Sequence, residues 1–270
     1  MIPNVDFDHV AVANHSRAVL DDRYAGFFGG TFVSSGRTAG LYASIVKFAN
    51  GVKVETIEPH DVEHDDFLER FLKRSGPGFH HLTLVLSDRN VQGAADATEA
   101  AGYRLMGSRT TFLNEVFVHP KDAHGIVVQY IEPRDYSFSK EPADFPRNDR
   151  RADLTHIALV VQSLDRARAF FVDLLGAQEI PVCSDDRSDL PGRCLDISWN
   201  NPGTVRLVEP PVGDVLHTWL GDRPGAVHHF AITLDDPGAL PGARHRLDGS
   251  GVWEVAPEDN WGVRLLLRQR

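Results

Sequence analysis

The chain has 270 residues, 42% hydrophobic and 24% charged, which is the composition of a globular protein long enough for two domains rather than one. Its net charge of −10 argues against a nucleic-acid partner, which calls for a basic face. No run approaches the roughly 18 apolar residues of a membrane span, and the opening MIPNVDFDHVAVAN has neither a basic region nor a long apolar stretch. The expectation is a cytoplasmic protein without a signal peptide. Cys183 and Cys194 have no metal-type spacing and read as reduced thiols rather than a bridge.

Residues 5–13, VDFDHVAVA, alternate as a strand does, with His9 on the face of Phe7 and Ala11. Ser16 can cap a helix over about 17–28 that ends at Gly29-Gly30. Strand-like runs follow at 31–34, 41–48 and 52–58, and the last places Lys53, Glu55 and Ile57 on one face. Residues 65–74, DDFLERFLKR, read as a short amphipathic helix with acids at its start and bases at its end, as the helix dipole favours.

The same order then returns, with a strand at 79–87, a helix at about 90–101, and strands near 103–108, 115–119 and 125–132. In the stretch GFHHLTLVL, neighbouring side chains face opposite ways, so His81 shares a face with Thr83 and Val85 while His80 lies with the leucines. Residues 133–152 are rich in proline and charge and read as a linker. A third copy runs from the strand at 153–161 through a helix to strands near 178–183, 193–199 and 203–209. A fourth is shorter: a strand at 226–234, a proline-broken helix near 239–247, and strands at 252–255 and 262–268, with one strand missing.

Repetition is the strongest signal in the chain. Odd copies open on D-x-x-H, at His9 and His156, and even copies on His-His, at 80–81 and 228–229. Three strands end in apolar-Glu-Pro, at 57–59, 131–133 and 208–210. The chain therefore divides into two related halves, each of two βαβββ units: residues 1–134, a linker at 135–152, and residues 153–270.

The order βαβββ-βαβββ, with DHVAVA, GFHHLTLVL and HPKDAHGIVVQYIEP, resembles the vicinal-oxygen-chelate superfamily of glyoxalase I, methylmalonyl-CoA epimerase, extradiol dioxygenases and bleomycin-resistance proteins. The first half is most similar to the epimerase. The resemblance implies an α+β fold in which paired βαβββ units cup a divalent cation, with ligands from the first and fourth strand of each unit. Carried over strand by strand, it gives His9, Glu55, His81 and Gln129, and strand parity puts all four on the face opposite the helix-covered side. That nitrogen and oxygen set suits Zn, Ni, Co, Mn or Fe(II). Glu132 has the wrong parity and reads as strand-end surface.

In the second half His156 and His229 persist, but the fourth-strand positions are Arg206 and Leu266, joined by Arg264. A guanidinium cannot ligate a metal. This half is expected to be a scaffold, or an anion subsite of Arg206, Arg264 and the two imidazoles. Phe7, Tyr42, Phe48, Phe79, Phe112, Phe117, Trp199, Trp253 and Trp261 could line a cavity, although most such rings are core or rim.

The resemblance implies a metal-dependent isomerase, epimerase or lyase that acts through an enolate of a small carbonyl or thioester substrate, with Glu55 as the base. The last-strand glutamate typical of the epimerase is Gln129 here, which favours single-base proton transfer. The alternatives are an extradiol-type Fe(II) dioxygenase and a metal-free drug-binding resistance protein. The partner is a small molecule, and monomer and homodimer both remain open.

Overall fold

A computed structural model describes residues 1–106, 114–180 and 190–270. Residues 5–131 carry the strands β1 (Val5–Ala13), β2 (Thr31–Thr38), β3 (Leu41–Lys47), β4 (Lys53–Glu58), β5 (Gly78–Leu86), β6 (Leu105–Met106), β7 (Glu115–Val118) and β8 (Val127–Ile131). They form one mixed sheet in the order β2-β3-β4-β1-β5-β8-β7-β6. Residues 153–269 repeat the plan with β9 (Asp153–Val161), β10 (Gln178–Ile180), β11 (Arg193–Ser198), β12 (Thr204–Glu209), β13 (Gly225–Leu234), β14 (Arg244–His245), β15 (Trp253–Val255) and β16 (Leu265–Gln269). Their order, β10-β11-β12-β9-β13-β16-β15-β14, matches the first sheet position for position. The fold is α+β, in two glyoxalase-like halves of two units each; three units are βαβββ, and the fourth has a 3₁₀ turn in place of its helix. The expected strand segments at 107–108 and 181–183, together with Phe112 and Cys183, lie outside the described residues; Cys194 is a free thiol.

By contacts the chain falls into two compact units whose divisions fall inside β1, β5, β9 and β13 and, after β8, between Pro133 and Arg134. One unit is Met1–Asp8, His81–Pro133 and His156–His228; the other is His9–His80, Arg134–Thr155 and His229–Arg270. In the second of these, α1 (Arg17–Asp21) continues into wider, π-type turns over Asp22–Phe27. These bury Leu20, Tyr24 and Phe28, with the rings of Tyr24 and Phe28 each about 6 Å from that of Phe48 (6.3 and 5.9 Å). The opposite face is covered by α2 (Phe67–Ser75), whose Leu68 and Leu72 pack on Ala11, Ala13, Ala43 and Ile57. In the other unit, α3 (Val91–Ala100) is capped by the Asn90 side chain, and α4 (Leu164–Arg168) continues into π-type turns over Ala169–Leu174. Within that unit, a Cβ on Gly125, whose φ is +83°, would lie 1.7 Å from the Gly225 carbonyl oxygen, so glycine alone fits.

Three local expectations change. Residues 239–247 are not a helix: Pro237–Ala239 make one 3₁₀ turn, and Arg244–His245 then form β14, the strand that had seemed missing. Pro237 and Pro241, each followed by glycine, stop helical propagation after that turn. A helix not foreseen from sequence, α5 (Val215–Leu220), is capped by Asp214 and lays Leu216 and Leu220 over Ala158, Val160 and Val208, as α2 does in its own unit. Finally, Ser16 makes no side-chain cap on α1. The Arg17 amide donates instead to Glu58, at 2.6 Å, and the Leu164 amide of α4 donates to Glu209, at 2.7 Å. Two of the three apolar-Glu-Pro strand ends are thus helix caps. Among the described residues, no helix is long and apolar enough to cross a membrane.

Candidate metal centre

His9 stands on β1 and Glu55 on β4, which run parallel with Ala11 opposite Glu55. The relation recurs between β5 and β8, where Thr83 lies opposite Gln129 and His81 is two residues earlier. Each histidine therefore precedes, by one pleat, the residue that faces the fourth-strand donor. His9, Glu55, His81 and Gln129 are all buried.

The ligand atoms of His9, Glu55 and His81 all lie within 4.8 Å of one another, the one such group of three His, Cys, Asp or Glu side chains among the described residues. His9 Nε2 is 3.5 Å from Glu55 Oε2. Two donors each about 2.1 Å from one tetrahedral ion are about 3.4 Å apart, so this spacing suits a shared cation. Two imidazole nitrogens and one carboxylate also suit a borderline divalent ion better than a thiophilic or an all-oxygen one. The donor set fits the metal that the fold implies.

Gln129 is held from both sides. Its Oε1 accepts from the Thr83 hydroxyl at 2.7 Å, and its Nε2 donates to Glu115 Oε2 at 2.9 Å. Sequence reading missed Glu115. The signal lay in the β7–β8 register, which sets Phe117 opposite Gln129 and Glu115 opposite Ile131, so that Glu115 faces the same way as Gln129. Glu132 instead bonds to Asn114, at 3.1 Å, and to the exposed Arg89, at 3.4 Å.

His80 does a different job from His81. Its ring lies edge-on to Phe71, centroids 4.6 Å apart, and near Phe67. Burial pulls its pKa down to about 4, against the opposing influence of Glu55, so this imidazole is neutral at pH 7. His228 packs likewise on Trp219, at 5.0 Å. Of the aromatic residues, Phe7, Phe48 and Trp199 are core, whereas Tyr42 lies under the guanidinium groups of Arg17 and Arg37.

In the second half, Arg206 lies opposite Ala158 and Leu266 opposite Ala231, the register places of Glu55 and Gln129. Arg206 makes a two-pronged pair with Asp196, 2.7 Å from Nε and 2.8 Å from Nη2, and both residues are buried. Arg264 pairs with Glu254. The positive charge foreseen there as an anion subsite is therefore countered from within by two carboxylates that the sequence reading had not matched to it.

The sequence profile of the Glyoxalase/Bleomycin resistance protein/Dioxygenase superfamily matches residues 8–118. That stretch is a domain of this superfamily. Over its whole length the chain shares the fold of a hypothetical protein from Staphylococcus aureus, at 11% identity and a TM-score of 0.56, covering 98% of this chain and 100% of that one. It is also similar to methylmalonyl-CoA epimerase from Mycobacterium tuberculosis, at 23% identity and a TM-score of 0.42, over 48% of this chain and 89% of that one. A Streptomyces coelicolor methylmalonyl-CoA epimerase variant in complex with 2-nitronate-propionyl-CoA gives 22%, 0.41, 48% and 98% in the same terms. No curated protein matches the chain. The superfamily hosts several chemistries on one scaffold, so the reaction must be argued from the site.

Proposed function

We propose that His9, Glu55, His81 and Gln129 hold one divalent cation, and that the protein catalyses proton transfer on a small carbonyl or thioester substrate. The observation that carries this reading is the buried convergence of His9, Glu55 and His81. When bound, the cation supplies a Lewis acid for negative charge developing on a substrate oxygen. Glu55 is the one carboxylate of the three and the group able to take and return the proton, while Gln129 can only ligate. With a single base, the proton leaves and returns on one face of the carbon, which favours isomerisation over two-base epimerisation.

The test is metal analysis of the purified chain, then α-hydrogen exchange in D₂O with hemithioacetals and acyl thioesters. About one divalent ion per chain is expected, lost in His81→Ala and in Glu55→Ala. A wild type that binds none of the five candidate metals would sink the proposal. A second reading is supported by the composition of the cluster, since two histidines and one carboxylate are also the set that non-haem Fe(II) oxygenases use. Oxygen uptake with catechols on Fe(II) loading, without α-hydrogen exchange, would select it.

A further inference from the structure

We propose that Glu115 is the residue that orients the Gln129 amide, and so decides which of its two ends faces the cation. The inference rests on Gln129 being a ligand, as read above. The two ends of a glutamine amide are nearly equal in size and opposite in chemistry: the oxygen has lone pairs for a metal, and the NH₂ group only donates protons. The terminal torsion of glutamine is broad, so the side chain alone does not choose between them. Thr83 cannot choose either, because its hydroxyl both donates and accepts.

Glu115 can choose. An ionised carboxylate only accepts, so the end of Gln129 that meets it, at 2.9 Å, must be Nε2. The oxygen is thereby turned to the side where the Thr83 hydroxyl donates to it at 2.7 Å, and it keeps a second lone pair. Charge assistance makes the bond to Glu115 the stronger of the two.

The internal repeat supports the assignment independently. Ala43 stands opposite Ile57 on β3 and β4 as Glu115 stands opposite Ile131 on β7 and β8, with Glu55 and Gln129 two residues before those isoleucines. Where the fourth-strand donor is a carboxylate with two like oxygens, the neighbouring strand carries an alanine. Where the donor is an amide with unlike ends, that strand carries the one side chain type that sorts them.

The experiment is Co²⁺ titration of the metal-stripped full chain, by calorimetry and by the visible absorption of bound Co²⁺. It compares wild type, Glu115→Gln, Gln129→Ala, Gln129→Glu and the Gln129→Glu/Glu115→Gln pair, with thermal midpoints of the metal-free proteins recorded alongside. Glu115→Gln is expected to weaken binding about 10- to 100-fold, the usual cost of losing a group that orients a ligand, and to shift the Co²⁺ spectrum. In the Gln129→Glu background the same change should cost nothing or strengthen binding, because a carboxylate needs no sorting and a like-charge contact is relieved. Equal losses in both backgrounds overturn the proposal, as does a Glu115→Gln variant that binds like wild type while Gln129→Ala is weakened. If Glu115→Gln does not fold, the Gln129→Glu/Glu115→Gln pair is judged against Gln129→Glu, and weaker binding by the pair overturns the proposal. A wild type that binds no Co²⁺, or a Gln129→Ala variant that binds as tightly as wild type, overturns the ligand reading itself, and this inference with it.

Discussion

Replacing Glu58 by alanine should destabilise the protein far more than replacing Glu132, although both end an Ile-Glu-Pro strand. Glu58 accepts the Arg17 amide at 2.6 Å, the first orphan donor of α1, from a half-buried position. A hydrogen bond to a charged acceptor contributes about 1.5–3 kcal/mol, and a carboxylate at a helix N-terminus adds about 0.3–1 kcal/mol. Water reaches the vacated amide in part, so a net loss of about 2 kcal/mol is expected. At about 2–4 °C per kcal/mol for a chain of this size, the melting temperature should fall by about 4–8 °C. Glu132 meets an exposed Arg89 at 3.4 Å and Asn114 at 3.1 Å, and pairs of that kind contribute about 0–1 kcal/mol. Urea unfolding of Glu58→Ala, Glu58→Gln and Glu132→Ala, read by circular dichroism, measures the difference. Equal losses for Glu58→Ala and Glu132→Ala would refute the capping role.

Two further outcomes are expected. Burial lifts the Asp21 carboxyl to about 6, partly opposed by the Thr56 hydroxyl, which donates to it at 2.6 Å, and by Arg17. The native state therefore holds a proton that the unfolded chain, with an aspartate near its ordinary 3.8, has already released, so this group's contribution falls as pH rises from about 4 to about 6 and is flat above. The stability difference between Asp21→Asn and wild type should move by about 2 kcal/mol in favour of the variant between pH 4 and pH 7; a difference constant over that range would show that Asp21 is charged throughout. At the buried Arg206–Asp196 pair, Asp196→Ala should cost about 3–5 kcal/mol by stranding the guanidinium, whereas Arg206→Met with Asp196→Leu should be near neutral. Similar losses in the single and double variants, by denaturant titration, would mean that the pair is not the source of the cost.

Strand alternation and the recurring His9, His81, His156 and His229 were enough for the sequence by itself to determine the repeated strand order and the α+β class, because both signals are local and periodic. The expectation that the donors lie opposite the helix-covered side did not hold for His9 and Glu55, since α2 packs on Ala11, Ala13 and Ile57, which share their strand faces. Local pattern failed where proline and glycine interrupt it, at 239–247, and where a helix is too short to show a period, at Val215–Leu220. Tertiary structure alone decided the rest. His9, Glu55 and His81 converge only because β4 and β5 come from distant parts of the chain to flank β1 in one sheet. Glu115 reaches Gln129 through an antiparallel register, Glu58 caps a helix 41 residues away, and Asp196 neutralises Arg206 across a strand pair. Hydrogen bonds and charges are settled by distances of about 3 Å, and such distances belong to the folded chain rather than to its order of residues.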